Sequence, residues 1–349
     1  MAALIAGLDI GGAHLKAAQV TADGRVVAAR QLPCALWLGL DRLEAALLEL
    51  APGPGWQGPL AVTMTGELAD LFPDRAVGVE RLLATLAGAW PQARCLVWAG
   101  ARGFVPLAAA GGHAGEIASA NWLASATLAA HRAGNALFVD LGSTTTDIIL
   151  LAGKEVRAQG GTDRERLATG ELVYTGLTRT PVMALATEAP FAGRRVALMN
   201  ERFATSADLY RVLGTLPEEA DQHDTADLGP KTVEASARRL ARMIGADLGD
   251  ARPEDWRRLA DTLARAQLRR IEDAVALQLS RGLLGDDAPV IGAGCGRFLV
   301  ERLAMSLGRP YLDFARLVAA SGATGSWAAT CAPSVAVALL LAETAGAHG

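Results

Sequence analysis

The sequence predicts an α/β protein whose core is duplicated, with two lobes around a central cleft. Three observations predict it. First, Gly7-Leu8-Asp9-Ile10-Gly11-Gly12-Ala13-His14-Leu15-Lys16 and Phe138-Val139-Asp140-Leu141-Gly142-Ser143-Thr144-Thr145-Thr146-Asp147 read as one unit written twice: apolar strand, carboxylate, glycine turn, returning strand. An internal repeat decides an architecture before any finer detail does. Second, the returning strands, 15–20 and 147–151, each reach another glycine turn, Asp23-Gly24 and Ala152-Gly153, and each is followed by a third strand, 26–31 and 156–159. Third, a further glycine loop, Gly292-Ala293-Gly294-Cys295-Gly296, stands between an apolar strand and a helix. At 349 residues and 51% hydrophobic content the chain can fill two cores, and its few aromatics suit a compact α/β enzyme.

The elements follow in order. Alternation and glycine turns make residues 3–32 a three-stranded meander. Residues 41–50 form an amphipathic helix stopped by Ala51-Pro52-Gly53-Pro54-Gly55. Residues 60–64 are a strand, 80–90 a helix ending before Pro91, 95–98 a strand, and 117–131 a small-residue helix ended by Gly134. The repeat restarts at Leu137. Residues 165–215 read as mostly helix broken by Pro181 and Pro190, and 217–229 as an acidic surface loop. Residues 231–248 and 253–284 read as helices, the latter with Pro253 in its first turn. Residues 291–309 are strand, turn and helix, and 333–345 a last apolar helix packed back on the first lobe. The first lobe is therefore 1–130 with 333–349, and the second 131–332 with a helical insertion at about 165–285. The cleft between them is the expected site.

A net charge of −4 gives no reason to expect nucleic acid or an anionic membrane as partner. No apolar run is long enough to span a bilayer and no basic leader precedes the first strand, so a soluble, cytoplasmic protein is expected. Cys34, Cys95, Cys295 and Cys331 form no CxxC pair, which reads as buried free thiols rather than zinc or redox chemistry.

The chemistry concentrates at the turns. Gly11, Gly12 and Gly142 let backbone N–H groups approach phosphate oxygens. Ser143, Thr144 and Thr145 add hydroxyls, or are β-formers, in which case alternation still puts at least one in the cleft. Asp9 and Asp140 either cap their turns or hold a magnesium ion that keeps most of its water, and their repetition favours an anion and metal site. Lysine occurs only at 16, 154 and 231, and Lys16 lies inside a phosphate-type loop. Ala13 and His14 complete the first turn, with His14 bonding a phosphate or a phenol, or merely packed. Gly292, Gly294 and Gly296 do not make a Rossmann site, because the first strand is followed by a hairpin rather than a helix. Thr63, Thr65 and Glu67 follow a strand end, where α/β sheets keep ligands. Asn121 needs a partner if buried beside Trp122, itself read as core. Arg179 binds a carboxylate or makes a surface ion pair.

Paired turns of this kind, followed by the third glycine loop, resemble the actin, sugar-kinase and Hsp70 superfamily. The resemblance implies an actin-like, ribonuclease H-like fold in which both turns grip phosphates and Gly292, Gly294 and Gly296 hold adenosine or another ring. Thr63-Met64-Thr65-Gly66-Glu67-Leu68-Ala69-Asp70, Ala120-Asn121-Trp122, Gly170-Glu171-Leu172-Val173-Tyr174-Thr175-Gly176-Leu177-Thr178-Arg179-Thr180-Pro181 and Asn200-Glu201-Arg202-Phe203-Ala204 narrow it. They resemble the hydantoinase/oxoprolinase-like proteins and, within them, the methanofuran-biosynthesis branch. That branch joins an aminomethylfuran diphosphate to the phenol oxygen of a glutamylated tyramine and releases pyrophosphate. The resemblance implies small-molecule substrates, catalytic roles for Asp9, Lys16 and Asp140, magnesium at Asp9 and Asp140, and a glutamyl carboxylate on Arg179. ATP is possible but not favoured, because Ala13-His14 stands where sugar kinases carry a hydroxyl residue. An ATP-dependent kinase or hydantoinase-type ATPase, and a nucleotide-sensing assembly protein, are the competing readings; the oligomeric state is open.

Overall fold

Apolar alternation folds the first repeat into antiparallel strands β1 (Leu4–Ile10), β2 (His14–Thr21) and β3 (Val26–Pro33). The computed structural model describes residues 4–346 except 51 and 54. Two strands, β4 (Pro59–Met64) and β5 (Arg94–Trp98), continue this sheet in parallel from β1, and β6 (Phe104–Pro106) closes its edge. The second repeat is β7 (Ala136–Leu141), β8 (Thr146–Ala152) and β9 (Glu155–Val156), with β10 (Leu172–Val173) on the other part of β8. After a separate hairpin of β11 (Glu188–Phe191) and β12 (Arg194–Ala197), β13 (Val290–Ala293) and β14 (Tyr311–Asp313) extend β7 in parallel. Both sheets thus run hairpin first, then two parallel strands, β2-β1-β4-β5 against β8-β7-β13-β14. This doubled order is the two-lobed actin-like fold.

Two central helices sit between the sheets. The helix Ala332–Gly346 packs on β1, β2 and β4, and the helix Asn121–Ala133 packs on it and on β7, β8 and β9. Both are rich in buried alanine, which allows close approach. Gly7 marks the tightest point, since a Cβ there would lie 2.0 Å from the Ser334 carbonyl oxygen. Gly7→Ala is expected to cost about 1–3 kcal/mol by overpacking. Thermal melts check this, and an unchanged Tm would mean that helix and strand can part freely.

The segment 165–215 is not mostly helix. Only Asp163–Thr169 and Ser206–Leu213 are α-helical there, with one 3-10 turn at Val182–Ala184. Gly170, at φ 75°, ends the first, Pro190 lies within β11, and Pro181 bridges to Thr205. The intervening backbone instead supports the second glycine turn: Leu177 N–H donates to Gly142 O, and Thr178 and Arg179 N–H to Ser143 O. Gly176 permits this, its Cβ position being 2.4 Å from Thr144 N. The third strand of the second repeat stops at Val156 rather than 159, because Gln159 and Gly160 N–H turn to the buried Glu171 carboxylate at 2.7 and 2.9 Å.

Other boundaries shift for local reasons. The helix expected at 80–90 starts at Arg75, capped by Asp74. That expected at 117–131 begins at Asn121, after Ser119 breaks the chain at φ 53°. The helix from Pro253 ends at Leu279. The acidic segment 217–229 is more than a surface loop, for Gln222 bonds Gln31 at 3.1 Å and the His223 ring lies 4.7 Å from His14. Among the described residues no single helix is long and apolar enough to cross a membrane.

Candidate functional site

Each turn closes by the same bond, Gly11 N–H to His14 O at 3.0 Å and Gly142 N–H to Thr145 O at 2.9 Å. The hairpin registers then place Asp9 opposite Lys16 and Asp140 opposite Asp147. Both turns face one cleft of about 560 Å³. The first lines it with Asp9, Gly11, Gly12, Ala13, His14 and Lys16, the second with Asp140, Gly142, Ser143, Thr144, Thr145 and Asp147.

The carboxylates differ. Asp9 is 3.6 Å from Lys16 Nζ and receives Asn121 Nδ2 at 3.4 and 3.5 Å. Burial raises its pKa, against the pull of Lys16 and Asn121. Asp140 has no hydrogen bond or ion pair with any described residue. Burial pushes its pKa up to about 7; Lys16 opposes this, while Asp147 and Asp9 reinforce it. Burial disfavours the Lys16 charge, but Asp9 and Asp140 outweigh it and hold the ammonium above its ordinary pKa. Lys16 is therefore a fixed cation beside two carboxylates, one of which is poised to exchange a proton near neutrality.

His14 is buried and its pKa lies well below the ordinary value, through burial first and then His223, Lys16 and Arg179. Its Nδ1 is 3.3 Å from Ser143 Oγ, and its buried Nε2 has no partner. Arg179 donates to Thr144 Oγ1 at 3.2 Å and stacks 4.6 Å from the Trp37 ring centre. Among the described arginines that are not exposed, it alone lacks a carboxylate; Arg75, Arg166, Arg211, Arg239, Arg281, Arg297 and Arg309 each have one.

Thr65 and Asn121 line the cleft, whereas Thr63 and Glu67 lie beneath its wall, Thr63 beside Asp9 in the sheet register. Ser119 Oγ is 2.9 Å from both Glu67 Oε1 and Asp163 Oδ2. The hydroxyl has one proton for two acceptors; burial raises the Glu67 pKa, and Asp163 is paired with Arg75. Gly292, Gly294 and Gly296 are outside this cleft. Their Cβ positions fall 2.6 Å from Tyr311, 2.5 Å from Asp140 and 2.1 Å from Leu141, so close packing requires them to be glycine.

Residues 60–343 match the family described as hydantoinase/oxoprolinase. The chain belongs to the hydantoinase/oxoprolinase family. Over 342 residues this family member is 31% identical to a protein of Methanocaldococcus jannaschii, the match covering 98% of each chain. That relative is the synthase of a (phenoxymethyl)furan-2-yl methanamine whose phenoxy ring carries a γ-L-glutamylaminoethyl group. A Methanococcus vannielii synthase of the same name is 37% identical over 115 residues, 33% of this chain and 51% of that one. Among solved structures, nucleotide-free acetone carboxylase superposes with a TM-score of 0.54 at 10% identity, over 86% of this chain and 66% of that one, in keeping with the two-lobed fold.

Several cleft residues of this hydantoinase/oxoprolinase member escape a reading of the sequence. Asp147 carries a signal, since it follows Asp140 by the interval that separates Asp9 from Lys16. Arg166 carries none: it reaches Asp147 from the helix Asp163–Thr169 and lies 4.0 Å over the buried Trp122 ring. Trp37, from the 3-10 turn Leu36–Leu38, and Tyr174 and Arg202, from loops, also line the cleft.

Proposed function

We propose that this protein is an ether-forming transferase of methanofuran-type cofactor assembly, serving one-carbon metabolism. It joins an aminomethylfuran diphosphate to the phenol oxygen of a glutamylated tyramine or tyrosine derivative and releases pyrophosphate. The observation that carries this reading is the 31% identity, across 98% of the chain, with a synthase whose named product contains that ether.

The cleft's chemistry supports it. Asp140, unpartnered and with its pKa near 7, accepts the phenol proton. The phenol oxygen bonds to the furan's exocyclic CH2 carbon as the carbon–oxygen bond to diphosphate breaks, the electron pair leaving with pyrophosphate. Lys16, the N–H groups of Gly11, Gly12 and Gly142, and the hydroxyls of Ser143, Thr144 and Thr145 stabilise the departing charge. Neutral His14 offers Nε2 to a reactant. Thr65 and Asn121 line the substrate space over Thr63 and Glu67, and Arg179 takes a glutamyl carboxylate.

Magnesium fits the donor set. The turns offer carboxylate oxygens, and no described group of three His, Cys, Asp or Glu residues would hold a metal by itself, as suits an ion that keeps several waters. Of Asp9 and Asp140, Asp9 would hold it: burial raises its pKa, but Lys16 and Asn121 both oppose this and favour the ionised form. When bound, magnesium would screen the diphosphate charge.

Purified protein given magnesium, the furan diphosphate and γ-glutamyltyramine is expected to form ether and pyrophosphate in equal amounts without ATP. Added pyrophosphate is expected to inhibit competitively with the furan donor. Mass spectrometry and a pyrophosphate assay read this out. An absolute ATP requirement with ADP formed in step would replace this reading with an ATPase.

A further inference from the structure

Two arginines reach the reaction cleft from neighbouring segments. Pro181 bridges to Thr205, and Val182 N–H donates to Ala204 O at 3.0 Å, so the chain after Arg179 runs antiparallel to the chain after Arg202. Both side chains line the cleft. Arg179 is half-buried, donates to Thr144 Oγ1 at 3.2 Å and stacks on the Trp37 ring. The Arg202 side chain is exposed and has no hydrogen bond or ion pair with any described residue. Its charge acts on Arg179: burial lowers the Arg179 pKa, and Arg202 lowers it further, against Tyr174.

The cleft's own acids do not neutralise this pair. Asp9 is paired with Lys16, Asp147 with Arg166, and Asp163 with Arg75. Neither Asp70 nor Asp140, which also line the cleft, makes an ion pair with either arginine. An exposed arginine without a partner is ordinary. Arg202 differs in sharing a cleft wall with a second guanidinium that also lacks a carboxylate, and like charges at a half-buried wall repel. Anions relieve that repulsion. Each planar guanidinium fork takes one carboxylate through parallel hydrogen bonds, so the pair has room for two.

We infer that Arg202 works with Arg179 to select an acceptor bearing two carboxylates, one for each guanidinium. This rests on the transferase reading above and deepens it. A single γ-glutamyl group brings one carboxylate and one ammonium, which satisfies Arg179 and leaves Arg202 unmatched. A tyrosine core supplies the second carboxylate beside the glutamyl amide, and a tyramine core gains it from a second glutamate. Either source gives the acceptor a net negative charge that complements two unpaired arginines. Arg202 thus selects the acceptor, while Asp140 and Lys16 act on the bond that forms and the bond that breaks.

The test measures KM for three acceptors at saturating furan diphosphate: γ-glutamyltyramine, γ-glutamyltyrosine and γ-glutamyl-γ-glutamyltyramine. At least one acceptor with two carboxylates is expected to have a KM about tenfold below that of γ-glutamyltyramine, and which one does so identifies the source of the second carboxylate. Arg202→Gln is expected to shrink that ratio to about twofold or less. Equal KM values for all three in the parent, or a preference that survives Arg202→Gln, would overturn the inference while leaving ether formation intact. Calorimetric titration of the parent and of Arg202→Gln with the same acceptors, without donor, reads the site without turnover. Tighter binding that needs both the second carboxylate and Arg202 supports the inference even in a preparation that makes no ether. Equal binding of the three acceptors overturns it.

Discussion

Asp140→Asn is expected to slow ether formation by about 100- to 10,000-fold, the range for losing a positioned general base, while the fold persists. The side chain is nearly isosteric, and Asp140 makes no bond that the amide would break. The pH profiles carry the stricter test. With the Asp140 pKa at about 7, the parent's kcat/KM should climb as pH rises through neutrality, and the residual activity of the variant should not. Stability should move the opposite way. The pKa is raised from 3.8 in folding, so the stability associated with protonated Asp140 is fully present below about pH 4 and is lost as pH rises through about 7. The neutral amide escapes that loss. The variant's Tm should therefore exceed the parent's most clearly at pH 8. Full activity in the amide variant, or an unaltered acid limb, would remove Asp140 from the base role.

Lys16→Met is expected to damage both chemistry and stability. Turnover should fall by about 100- to 1,000-fold, as when one donor is removed from a developing anion. Asp9 and Asp140 would also lose the cation that offsets their burial, at a cost of up to about 3 kcal/mol. Lys16 itself stays charged across the ordinary pH range, its pKa being raised, so the pH dependence of this cost comes from the acids. Asp140 is neutral at pH 5 and ionised at pH 8, so the drop in Tm should be larger at pH 8. An equal drop at both values, with turnover within threefold of the parent, would mean that Lys16 faces neither carboxylate in solution.

The turns that carry these two residues are legible because their geometry is local. Gly11 and Gly142 each bond a carbonyl three residues on, and the eight residues from Asp9 to Lys16, or from Asp140 to Asp147, contain all that the hairpin needs. Residues 172–198 show the limit of such reading. Their apolar residues serve a wall under the second turn and a hairpin whose Phe191 stacks 4.9 Å from Trp256, contacts made far along the chain, so helical spacing there was no guide. Likewise His223 meets His14 across more than two hundred residues, and nothing local in an acidic segment marks it.

By itself, then, the sequence determined the duplicated strands, both carboxylate–glycine turns and the hard-oxygen chemistry between them, since alternation, glycine and strand register act within a few residues. Only the tertiary structure decided the proton affinities of Asp9, Asp140 and His14 and the isolation of Arg179 from any carboxylate. It alone also placed Gly292, Gly294 and Gly296 outside the cleft that the two turns line. Each of these depends on which groups water can reach, and burial is a property of the packed whole.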